Sequence, residues 1–132
     1  AIGTATNASA FAVPGIAFSD VTGMTLAYTA PAGTTKLIIT FSAECDVDYT
    51  ADSQYLTTQI LVDGVEAEPS VGSNYQFCTV DPLDGYAQKT GATMTRVISA
   101  GPGAHTVKVQ AAEIILANGT LDDMTLTVVP SS

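Results

Sequence analysis

Between Lys36 and Asp48 the chain alternates with a period of two. Leu37, Ile39, Phe41, Ala43, Cys45 and Val47 fall on one side, and Lys36, Thr40, Ser42, Glu44, Asp46 and Asp48 on the other. Only Ile38 breaks the pattern. Successive side chains of a strand point to opposite faces, whereas a helix would scatter these residues around its circumference. The segment is therefore a strand with one buried face, and it demands a second layer to bury that face.

Shorter segments repeat the signal. Met24, Leu26 and Tyr28 alternate ahead of Pro31-Ala32-Gly33, and Leu56, Thr58, Ile60 and Val62 lead into Asp63-Gly64, a hairpin dipeptide suited to a type I′ turn. Tyr75 to Val80 reads as a short strand. Met94, Arg96 and Ile98 precede Gly101-Pro102-Gly103, with Val107 and Val109 on one face after it. Ala111 to Ala117 is the one plausible helical stretch, but it is short and holds the β-branched pair Ile114-Ile115, and it reads as strand. Asn118-Gly119 then turns the chain into Met124, Leu126 and Val128. Seven or eight strands with turn signals between them predict an all-β, single-domain antiparallel β-sandwich or jelly roll over residues 14–132.

Residues 1–13 form a separate unit, uncharged and built mostly of small side chains. Two readings stay open. The segment is either the first strand of the same sandwich or an arm laid on a neighbouring subunit by strand addition. In the second case Ala1, Ile2, Ala10, Phe11 and Val13 would carry the assembly contacts. The chain begins with Ala rather than Met, which fits either a processed mature protein or an excised fragment; a processed protein is the expectation, extracellular or at a cell surface after removal of a signal peptide.

With four Lys or Arg against thirteen Asp or Glu, the net charge is −9. That balance argues against nucleic acid and anionic membrane surfaces as partners. No apolar run reaches the length of a membrane-spanning helix. Cys45 and Cys78 are the two cysteines. An even count in a chain of exported character suggests a disulfide, worth about 3–4 kcal/mol for a loop of about 33 residues; two buried thiols are the other reading.

Catalytic chemistry finds little to build on. His105 is the one histidine, and no nucleophile elbow, Walker loop, dinucleotide fingerprint or zinc spacing is present. Carboxylates for a glycosidase exist in Glu44, Glu66, Glu68 and Glu113, but the chain has no Trp to wall a sugar cleft. A non-enzymatic protein is expected. The acidic residues Glu44, Asp46, Asp48 and Asp52 offer hard oxygen ligands for calcium, and Asp122-Asp123 forms a second acidic group. A solvated acidic face that discourages edge pairing is the competing reading. No other cofactor is implied. Asn7-Ala8-Ser9 and Asn118-Gly119-Thr120 match the N-glycosylation sequon.

The stretch from Ala32 to Cys45, the Leu61-Val62-Asp63-Gly64-Val65 hairpin, and Gly101 to Gln110 are similar to exported bacterial β-sandwich domains, and resemble jelly rolls of the C1q and tumour-necrosis-factor type. The resemblance implies an extracellular, non-enzymatic domain that associates with copies of itself. Two functions follow as expectations. One is a structural subunit that self-assembles into a filament, coat or surface appendage. The other is a module that recognises a glycan or surface receptor through its end loops, with Tyr49, Tyr55, Tyr75 and Tyr86 supplying contacts.

Overall fold

The computed structural model describes residues 1–47, 54–72, 74–79, 89–114 and 118–132. Among the described residues ten strands follow in order: β1 (Gly3–Asn7), β2 (Phe11–Ala12), β3 (Ser19–Ala30), β4 (Lys36–Val47), β5 (Tyr55–Val62), β6 (Val65–Glu66), β7 (Cys78–Thr79), β8 (Thr90–Ser99), β9 (Gly103–Ile114) and β10 (Gly119–Ser131). Every pairing is antiparallel. One sheet runs β1-β10-β4-β8 with β2 also on β10; the other runs β3-β9-β5-β6 with β7 also on β5. The protein is an all-β antiparallel sandwich.

β4 behaves as its alternation requires. Leu37, Ile39 and Phe41 are fully buried and Cys45 nearly so, while Ile38 points outward and is half-buried. Facing them from the second sheet are Met24, Leu56, Ile60, Val107, Val109 and Ala111. Each large aliphatic side chain removed from water contributes about 1.5–3 kcal/mol, so this two-layer core is the main favourable term. Phe77 stacks on Phe41 with ring centroids 5.3 Å apart. Next to it the disulfide between Cys45 on β4 and Cys78 on β7 joins one sheet to the other.

Turn chemistry decides the hairpins. Asp63 and Gly64 both have positive φ, 51° and 82°, as a type I′ turn needs. Asn118 takes the left-handed conformation at φ 49°, whereas Gly119 opens β10 and is buried.

The two sides of the sandwich are stitched. On one, Ala67 N donates to Ile60 O in the second sheet, and Glu68 then exchanges backbone hydrogen bonds of 2.8 and 2.9 Å with Val97 in the first. On the other, β1 lies against β3. Gly3 sits where any Cβ would strike the Tyr28 ring, and the Tyr28 hydroxyl donates to Ala1 O. Asn7 Nδ2 donates to Thr22 O at 2.9 Å. The N-terminal segment thus packs on its own chain: β1 pairs with β10 from Gly3↔Val128 to Asn7↔Met124, and Val13 N donates to Gly119 O.

Candidate functional site

The residues singled out by sequence do not converge. Among those expected to carry assembly contacts, Val13 is 5% exposed within the core, Phe11 is half-buried against it, and Ile2 is 66% exposed. Asn7 spends its side chain locally, donating to Thr22 O and accepting from Ser9 N, and Asn118 lies exposed in its turn. Tyr55 is buried. Tyr75 is half-buried, with the inward-pointing Arg96 guanidinium 5.0 Å from its ring centroid. Tyr49 and Tyr86 lie outside the described residues. The end-loop tyrosines therefore do not form an exposed platform among the described residues.

Glu44 and Asp46 alternate on the outer side of β4; Asp48 and Asp52 lie outside the described residues. Glu44 stands opposite Asp122 on β10, where a bulge between Asp122 and Thr125 puts Asp123 at φ 46°. The Glu44 carboxyl is held above its ordinary range chiefly by the neighbouring Asp123 carboxylate, to which only a protonated Glu44 can donate and beside which a second negative charge is disfavoured. Lys89 binds Asp122 at 2.9 Å and holds that carboxyl low. The two acidic groups recognised separately in sequence thus meet, but no group of three metal-ligating side chains is arranged to hold an ion among the described residues.

A different feature organises the outer face of the first sheet. Thr4 pairs with Thr127, Thr127 with Thr40, and Thr40 with Thr95, so one rank of hydroxyls crosses β1, β10, β4 and β8. Two residues along each strand, Thr6, Thr125, Ser42 and Thr93 form a second rank. The residues between them, including Leu126, Phe41 and Met94, point inward and are buried, which is what turns the hydroxyls out. Thr40 and Thr95 place their hydroxyl oxygens 3.2 Å apart, and Ser42 and Thr93 theirs 3.1 Å apart. A hydroxyl has one donor and two acceptor positions, so every member keeps capacity for an outside partner. On one flank runs an apolar row, Val129–Ile38–Val97; on the other stand Glu44 and Asp122.

The outer face of the second sheet is organised otherwise. Gln59 Nε2 donates to Gln110 Oε1, Gln110 Nε2 donates to Asp20 Oδ1, both at 2.8 Å, and Lys108 Nζ lies 3.2 Å from Asp20. These contacts, Gln110 first and then Lys108, hold the Asp20 carboxyl below its usual range. Here the polar groups satisfy one another.

The hydroxyl ranks left a trace in sequence, as Thr4-Ala5-Thr6, Thr40-Phe41-Ser42, Thr93-Met94-Thr95 and Thr125-Leu126-Thr127. Each triplet reads as an ordinary half-buried strand. Only the register makes them one surface.

No protein-family profile matches the chain, and no curated protein matches it in sequence. Among solved structures it is similar to the CBM36-1 domain of a multidomain xylanase from the hindgut metagenome of Trinervitermes trinervoides, with a TM-score of 0.48 and 11% identity over 100% of this chain and 99% of that one. It is also similar to the CBM22-1 xylan-binding domain from Paenibacillus barcinonensis Xyn10C, with a TM-score of 0.37 and 12% identity over 98% of this chain and 88% of that one. Neither is of the C1q or tumour-necrosis-factor type.

Proposed function

We propose that this chain is a non-enzymatic, extracellular binding module that takes a glycan on the outer face of the β1-β10-β4-β8 sheet. The observation that carries the reading is the pair of in-register hydroxyl ranks, eight side chains without a charge in a chain of net charge −9. Sugars present hydroxyls on their edges and C–H groups on their faces. The ranks match the first, and the adjoining Val129–Ile38–Val97 row matches the second. Each exchanged hydrogen bond nets only about 0.5–1.5 kcal/mol, so a few of them give weak binding, on the order of micromolar to millimolar. The Cys45–Cys78 disulfide suits an oxidising, extracellular setting.

Self-assembly by an exchanged arm draws no support from the structure, because residues 3–7 are already paired with β10 of their own chain. The test of the glycan reading is electrophoresis through gels containing soluble neutral polysaccharides. Retardation is expected, and its loss in Thr40→Val/Thr127→Val, which keeps side-chain shape, places the contact on this face. A chain that no polysaccharide retards is not a glycan-binding module.

A further inference from the structure

We infer that the ligand of this face is a single extended chain of neutral, equatorially linked sugars lying across the four strands, one sugar to a strand. The inference rests on the glycan reading above and narrows it. Direction follows from the shape of the patch. Along a strand only two hydroxyl positions separate the apolar row from Glu44 and Asp122, whereas each rank runs four positions across the strands. Neighbouring strands lie about 4.8 Å apart, comparable to the advance of one pyranose in an extended chain. A ligand lying this way meets a hydroxyl at every step and keeps its C–H faces beside Val129, Ile38 and Val97.

Charge selects among extended chains. Glu44, Asp122 and Asp123 border the ranks, and the one cation among them, Lys89, is already tied to Asp122 at 2.9 Å. Lys108 is engaged with Asp20 on the opposite sheet, and Arg96 points inward beneath Tyr75. Lys36 stands beyond the apolar row, opposite Ser131 and Ser99. Uronate or sulfate groups on a ligand would meet a negative border with no unengaged cation beside it; unsubstituted sugars would not. Twist selects again. Adjacent strands rotate by roughly 20–25°, so successive positions of a rank turn about its axis. A glycosidic chain follows that turn at its linkages, and a flat crystalline surface cannot.

The experiment is titration calorimetry with cellobiose through cellohexaose, with laminarihexaose as a curved chain and β-1,4-linked oligomannuronate, equatorially linked like cellulose, as an acidic one, at low and high salt. Expected is affinity that rises about tenfold or more from the disaccharide to the tetrasaccharide, then levels off and is insensitive to salt. Oligomannuronate is expected to bind only when salt screens the border. Thr40→Val/Thr127→Val removes the cellotetraose signal, while Gln59→Ala/Gln110→Ala, on the opposite sheet, retains it; circular dichroism checks that both variants fold. Equal affinity for the curved or acidic chain, or no dependence on length, overturns this inference and leaves the glycan reading standing. Loss of binding in the glutamine variant instead moves the site to the other face and overturns both the site and the inference. Binding of none of these sugars, nor of any polysaccharide in the gels above, overturns both readings.

Discussion

Asp63 Oδ2 lies 2.7 Å from His105 Nδ1, while the other ring nitrogen of His105 lies 2.8 Å from the carbonyl oxygen of Gly101. Both neighbours are acceptors, so both contacts are hydrogen bonds only when the ring is doubly protonated. The same carboxylate accepts from Thr106 N at 2.8 Å, and Asp63 N donates to Thr106 O. The β5–β6 turn is thereby clipped to the start of β9.

The clip has a pH signature. Hydrogen bonding to Asp63 first, and to Gly101 second, raises the His105 pKa above its ordinary 6.5. Its contribution is therefore complete below pH 6.5 and is lost as pH rises through the raised value. Asp63 is lowered from 3.8, chiefly by His105, so its contribution is present above pH 3.8 and is lost as pH falls through the lowered value. Melting temperature should peak between these limits and fall on the alkaline side. In His105→Gln that alkaline slope should vanish, which thermal scans across the pH range would read directly.

Reduction of Cys45–Cys78 should destabilise the sandwich. The bond spans 33 residues and joins strands of different sheets; the chain-entropy model puts a loop of that size at about 3–4 kcal/mol. Urea unfolding with and without reductant, and of Cys45→Ala/Cys78→Ala, would measure it. A midpoint that does not move would show that the core alone holds the two sheets.

Gly119 is required by contact rather than by turn geometry. A Cβ there would overlap the Leu56 side chain, which is fully buried in the facing sheet. Gly119→Ala should cost about 1–3 kcal/mol as an overpacking substitution. Gly91, with open space around it, is the control: Gly91→Ala should leave the unfolding midpoint nearly in place.

Removal of residues 1–13 should weaken the fold and expose an edge. The deletion uncovers the side of β10 now paired with β1, and it removes Val13, whose burial is worth about 1.5–3 kcal/mol. An uncovered edge strand invites pairing with other chains. Size-exclusion chromatography should show larger species and scanning calorimetry a lower melting temperature. An equally stable monomer would mean that β1 contributes little to its own chain.

The long strands and their faces were legible because a period of two is a local property, whereas the strand expected over Tyr75 to Val80 is strand only at Cys78–Thr79 among the described residues. Lys36 to Val47 announces its buried side without reference to anything else, and Asp63-Gly64 announces its turn because few residues tolerate positive φ. The cysteines were readable as a pair for the same kind of reason, two thiols in a chain of exported character. Register was not legible. Alternation says that Thr40 and Thr127 each point outward, but not that they stand side by side, since β4 and β10 come together only after most of the chain has intervened. A slip of one residue would have turned every hydroxyl inward. The same long-range pairing brought Glu44 to Asp122, and placed the N-terminal strand on its own β10. Sequence alone determined what each strand shows to solvent; tertiary structure decided which strands stand together, because that choice is made by burying two complete faces at once.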